Sequence, residues 1–120
     1  MRIAVTSTGK DLDAPVDPRF GRAAYILVID IDTLAFEVID NKENVNAFKG
    51  AGIQAASAVS GKGANVLLTG YCGPNAFKAL SAAEIKVVQN VSGKVKEAVA
   101  LFKEGKLAFS DVPNAEGHGV

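Results

Sequence analysis

The stretch Ala64-Asn65-Val66-Leu67-Leu68-Thr69-Gly70-Tyr71-Cys72-Gly73-Pro74-Asn75-Ala76 decides the fold. It begins as a short apolar run, Val66-Leu67-Leu68. The run breaks at Gly70 and Gly73, which flank the chain's one cysteine, and a helical pattern resumes from Pro74. Apolar run, glycine break and helix, in that order, read as strand, turn and helix. Proline suits the first helical turn, where its missing N–H costs nothing. In open α/β sheets ligands bind beyond the carboxyl ends of the strands, so this turn is the first place to look for a site.

Working outward, Gly50-Ala51-Gly52-Ile53 opens a helix upstream of this strand. Its expected inward residues are Ile53, Ala56 and Val59, widened by Ala55 and Ala58, and Gly61 and Gly63 end it. Downstream, the helix from Pro74 to about Ala83 turns Phe77 and Leu80 inward, and Ile85 to Gln89 is a further strand. Strand, helix and strand on short links make a βαβ unit with parallel strands and a right-handed crossover. Ser92 is the expected N-cap of a last helix, with Val95, Ala98, Val99 and Phe102 inward and Gly105 as its stop. Toward the N-terminus, Arg2–Ser7, Ala24–Ile31 and Leu34–Asp40 read as strands. Asp32-Thr33 joins the second and third as a tight hairpin. Asn44 and Asn46 are candidate helix caps.

The result is an α/β fold, a mixed five-stranded sheet in the order β-β-β-α-β-α-β-α. Residues 1–107 form one domain and 108–120 a flexible tail, with Leu107-Ala108-Phe109 at the junction touching the body. With 120 residues, 48% hydrophobic and 22% charged, one soluble domain with a real core is expected. Thirteen basic against thirteen acidic residues argue against capture of nucleic acid or anionic membrane by bulk charge. A single cysteine allows no internal disulfide and suits a reducing, cytoplasmic setting. The first residues do not read as a signal peptide, and no run is long enough to span a membrane.

If the first, third, fourth and fifth strands point the same way, their carboxyl ends share one edge. The loops at that edge hold Arg19, Arg22, Cys72 and most of the unusual glycines. Arginine forks and glycine-lined helix starts make an anion receptor. The helix starts in question are Gly50–Gly52 and Gly73–Asn75. The plainer alternatives are that Arg19 pairs with Asp17 to pin its loop and that the glycines serve only tight turns. Gly50-Ala51-Gly52-Ile53-Gln54-Ala55 fits G-x-G-x-x-A. A polar linker precedes it, however, and no Asp or Glu follows before Glu84, so a dinucleotide is disfavoured. Cys72 at a helix start would have a lowered pKa and act as a thiolate, or it is a small buried hydrophobe. The only histidine, His118, lies in the tail, so a nucleophile–histidine pair has no support.

Three motifs carry a family resemblance: Asp17-Pro18-Arg19-Phe20-Gly21-Arg22-Ala23, Gly50-Ala51-Gly52-Ile53-Gln54-Ala55-Ala56 and Thr69-Gly70-Tyr71-Cys72-Gly73-Pro74-Asn75-Ala76. Together, in this order and over this length, they resemble the dinitrogenase iron–molybdenum cofactor biosynthesis family, which includes NifX-like proteins and the C-terminal domain of NifB. The resemblance implies a three-layer ribonuclease-H-like fold. It also implies a non-catalytic carrier or scaffold for a molybdenum- or iron-containing sulfide cluster or thiometallate, with a cluster-donor or acceptor protein as partner. Carried onto this chain, the contact residues would be Arg19, Phe20, Gly21, Arg22, Gly50, Gly52, Gly70, Cys72, Gly73 and Asn75, with Cys72 as at most a single metal tether. Two rival readings stand beside it. One is a cofactor-free interaction or regulatory module with an exposed apolar patch at Phe20, Tyr71 and Phe48. The other is an enzyme for a small phosphorylated substrate, against which the missing acid–base pair weighs.

Overall fold

Strand β1 (Arg2–Ser7) forms the middle of the sheet, and everything from Ile3 to Ser7 is buried. A strand covered on both faces has no polar side to show, which explains its Ile-Ala-Val run. Strand β2 (Tyr25–Asp30) pairs with it antiparallel, and β3 (Phe36–Asp40) pairs antiparallel with β2. On the other side β4 (Val66–Leu68) runs parallel to β1, and β5 (Lys86–Val88) runs parallel to β4. The order across the sheet is β3-β2-β1-β4-β5. This is the computed structural model of the chain, and it describes residues 1–42 and 50–113. Phe48, Asn44, Asn46 and His118 lie outside the described residues.

Helices α1 (Ala51–Gly61), α2 (Pro74–Ala82) and α3 (Val95–Lys103) are divided between the two faces of the sheet. Alternate residues point to opposite faces of a strand. Ala4, Ile26, Val28, Leu67 and Val87 therefore meet Ala55, Ala56 and Val59 of α1 and Ala76 and Leu80 of α2. Ile3, Val5, Leu27, Val66 and Leu68 meet Val95, Ala98 and Val99 of α3 on the other side. The alanines let the helix backbones approach the sheet closely. The mixed five-stranded sheet and its helices thus match the expected class and element order.

Several local expectations give way. Ile53 is 51% exposed rather than inward. Ala51, Ala55 and Val59 fall at i, i+4 and i+8 and set the buried stripe, which leaves Ile53 about 200° from Ala51 around the helix. The β2–β3 turn is longer than a two-residue hairpin. The Asp30 carboxylate accepts the N–H groups of Asp32 (2.9 Å) and Thr33 (3.1 Å), and Leu34 turns through a φ of 66° before pairing resumes. Those two backbone donors also hold the Asp30 carboxyl below its ordinary pKa.

Ser92 does not cap α3. Lys94 is the N-cap, and Glu97 reaches back to accept its N–H at 2.9 Å. The chain before it is committed to pairing with the long loop. Val16 N–H donates to Gly93 O at 2.8 Å, and the first-turn N–H groups of Val95 and Lys96 donate to Ala14 O and Leu12 O, both at 2.9 Å. The loop carbonyls do the work that a serine hydroxyl would otherwise do.

The C-terminal segment is tied down beyond Phe109. Phe109 rests on Phe102 with ring centroids 6.1 Å apart, Ser110 N–H donates to Val87 O at 2.7 Å, and Gln89 Nε2 donates to Val112 O at 2.8 Å. Part of the outer edge of β5 is thereby covered. No helix among the described residues is long and apolar enough to cross a membrane.

The capping of α3 can be checked by equilibrium unfolding. Glu97→Ala should cost about 1 kcal/mol, whereas Ser92→Ala should stay within about 0.5 kcal/mol. The opposite ranking would return the cap to Ser92.

Candidate functional site

Because β1, β3, β4 and β5 share a direction, their carboxyl ends do meet at one edge. The loop between β1 and β2 is pinned there by buried polar groups. Thr6 Oγ1 donates to Asp17 O at 2.7 Å and lies 3.0 Å from Thr69 Oγ1, which ties the ends of β1 and β4 to the loop. Asp17, only 6% exposed, accepts the backbone N–H groups of Arg19 (3.1 Å) and Ala24 (3.3 Å). Asp17 does pin the loop, but through the backbone of Arg19 rather than by an ion pair. The Arg19 side chain is exposed and belongs to none of the ion pairs among the described residues.

The next residues are locked against the β4–α2 turn. Arg19 bridges Tyr71, and Phe20 N–H donates to Tyr71 O at 3.0 Å. A Cβ on Gly70 would stand 2.7 Å from Pro18 O, so Gly70 permits this contact. Phe20 is 1% exposed and packs in the core with the residues beneath α1 and α2. It therefore neither lines a cleft nor contributes to an exposed apolar patch. A glycine-rich loop can hold an aromatic plug, and neither spacing nor composition signals its direction.

Gly21 then meets α1. A Cβ on Gly21 would be 2.8 Å from Gly52 N, and a Cβ on Gly52 would be 2.8 Å from Ala76 Cβ. Loop, α1 start and α2 start are stacked in direct contact. Between them opens a cleft of about 550 Å³, lined by Gly21, Arg22, Gly50, Gly52, Gly73 and Asn75 of the expected set. Ala51, Ile53, Tyr71, Pro74 and Ala76 complete it. Arg19, Phe20, Gly70 and Cys72 do not line it. Exposed Ile53 sits there because the buried stripe of α1 leaves it free to do so.

No carboxylate is among the described residues that line the cleft, and neither helix has an acidic residue in its first turn or a side-chain cap. The first helical bonds are Gln54 N–H to Gly50 O and Phe77 N–H to Gly73 O, both 2.9 Å. The N–H groups of Ala51, Gly52, Ile53, Asn75 and Ala76 find no acceptor among the described residues. Gly50 reaches its capping position through a φ of 82°, which a side chain would strain. Open N–H groups, two positive dipole ends and the half-buried Arg22 make the cleft suited to an anion. A second cavity of about 350 Å³ lies near the other end of α2, but Glu84 and Asp111 line it.

Cys72 behaves as core. It is 0% exposed among Phe20, Ala55 and Ala76, and burial pushes its thiol up to about 12. The expected depression of its pKa at a helix start is overturned, because desolvation of the thiolate outweighs the helix dipole. No group of three or more His, Cys, Asp or Glu side chains suited to a metal ion occurs among the described residues.

Two outcomes follow for this packing. Gly52→Ala should destabilise the chain by about 1–3 kcal/mol through overpacking. Adding Ala76→Gly should recover part of that loss, a coupling visible in a double-mutant cycle; strict additivity would disprove the contact. Cys72 should resist thiol reagents at pH 8 in the folded chain and react at once in denaturant. Its folded pKa lies above its ordinary value of 9.0, so from about pH 9 toward 12 the unfolded state binds fewer protons. Stability is therefore lost as pH rises through that window, and Cys72→Ala should show a shallower alkaline decline in Tm.

Comparison with known proteins places this fold among solved structures and a family. The structure of the apo form of the orange protein from Desulfovibrio gigas superposes with a TM-score of 0.92 at 50% identity, covering 95% of this chain and 96% of that one. The NMR structure of a NifB-like protein from Thermotoga superposes with a TM-score of 0.83 at 35% identity, covering 97% and 98%. An uncharacterised protein of Methanocaldococcus jannaschii is 28% identical over 95 residues, 77% of this chain and 80% of its own length. The profile of the family described as dinitrogenase iron-molybdenum cofactor matches residues 1–105. The chain belongs to the dinitrogenase iron–molybdenum cofactor family.

Proposed function

We propose that this chain is a small non-catalytic carrier, on a ribonuclease-H-like framework, for an anionic metal–sulfur cluster or thiometallate precursor of molybdenum or iron type. The cleft between the starts of α1 and α2 is its binding place. The observation that carries the reading is a cleft whose described residues bring open backbone N–H groups and no carboxylate. Membership of a family described by the iron–molybdenum cofactor supports a metal–sulfur cargo. The structure of the orange protein is an apo form, which supports a bound group in that relative and, by likeness, here.

The donor set fits a cargo held from outside its own coordination sphere. A thiometallate is a polarisable, weakly hydrated anion. Backbone N–H groups and the Arg22 fork suit its sulfurs, and Ile53, Pro74 and Ala76 suit its apolar contact surface. Buried, protonated Cys72 supplies no thiolate, so no covalent tether is invoked. Arg19, exposed and outside the cleft, is left for a cluster-donor or acceptor protein rather than for the cargo.

Anaerobic titration with tetrathiomolybdate, alone and with iron or copper, tests this. Metal and sulfide should be retained in constant stoichiometry after desalting. Arg22→Ala should weaken retention severalfold or more with the fold intact, and Arg19→Ala should change it much less. No retention under any combination would leave the family relationship as one of fold alone.

A further inference from the structure

Tyr71 enters the cleft from the turn between β4 and α2, and its position there is fixed on two sides. Its backbone bridges Arg19 and its carbonyl accepts Phe20 N–H at 3.0 Å. Its half-buried ring lies along the N-cap of α2, with Oη 3.4 Å and Cζ 3.9 Å from where a Cβ on Gly73 would stand. Among the described residues nothing hydrogen-bonds Tyr71 Oη. No serine, threonine or second tyrosine is among the described residues that line the cleft, so this is the one hydroxyl they bring to it. The positive end of α2 favours the phenol oxygen facing it, an orientation that leaves the freely rotating proton available to the cleft.

We propose that Tyr71 is a ligand-contacting residue whose Oη–H donates a hydrogen bond to the bound anion while its ring covers it. The ring lies in van der Waals reach of the Gly73 N-cap. This rests on the reading of the cleft as an anion site. It adds a selectivity: the N–H groups, Arg22 and the phenol O–H act as donors and outweigh the one acceptor-bearing carboxamide, Asn75, so the cleft favours a ligand rich in acceptors. A ligand presenting its own O–H or N–H groups would leave donor facing donor.

The chain has two tyrosines and no tryptophan, so in Tyr25→Phe the tyrosine emission reports Tyr71 alone. The probe is tetrathiomolybdate under anaerobic conditions, with the added metal that gives retention. In Tyr25→Phe, binding should quench emission in step with saturation, after correction for absorbance. Tyr71→Phe keeps the ring and should bind about tenfold or more weakly at unchanged Tm, the effect of losing one hydrogen bond to a charged group. Equal affinity in Tyr71→Phe, or saturation of Tyr25→Phe without quenching, overturns the assignment of Tyr71 and leaves the anion site standing. The quenching readout stands even where Tyr71→Phe folds poorly. No binding by the unaltered chain overturns both.

Discussion

The approach of Gly21 to Gly52, continued by Gly52 to Ala76, is the contact on which the rest of the site depends. A Cβ at Gly21 or at Gly52 would meet its neighbour at 2.8 Å. Without those side chains the β1–β2 loop, α1 and α2 press together at the carboxyl edge of the sheet. The same contact places the open amides of both helices side by side. At α3 the loop carbonyls of Leu12 and Ala14 take the first-turn N–H groups instead. One loop thus closes one helix end and leaves two others open. Helix ends without partners are costly when buried and useful when they face a ligand.

Charge is arranged to agree with that opening. The chain is neutral overall, yet its ion pairs among the described residues lie elsewhere: Arg2 and Lys62 on Glu37, Lys96 on Asp13, Lys106 on Glu104. These are exposed pairs and contribute little to stability. Asp17, the buried acid of the β1–β2 loop, directs its oxygens to the backbone N–H groups of Arg19 and Ala24. Its charge is spent within the loop rather than on the cleft, where Arg22 stands at the rim.

Much of this was legible in the chain. The break of Val66-Leu67-Leu68 at glycine and the restart at Pro74 give the strand, turn and helix because the period of the apolar pattern changes there. The convergence of loops on one edge follows from strand directions, and Gly21, Arg22, Gly50, Gly52, Gly73 and Asn75 line one cleft there. What escaped was side-chain direction. Phe20 and Cys72 sit beside cleft residues in sequence but point into the core, and neither spacing nor composition records that. Ile53 misled because an alanine-rich helix carries more than one plausible stripe. Ser92 misled because the first-turn N–H groups of α3 are taken by carbonyls of a loop about 80 residues earlier, a long-range contact that local propensity does not contain, and this sets the helix start at Lys94.

The central claim is that an anion is held by the open amides of α1 and α2. The direct measurement is an amide-resolved NMR titration of the labelled chain with the thiometallate it retains. The account predicts the largest, saturable shifts at the N–H groups of Ala51, Gly52, Ile53, Asn75 and Ala76, with Phe102 and the rest of α3 unmoved. Saturable binding whose largest shifts fall on α3, or on the cavity near Glu84 and Asp111, would contradict it.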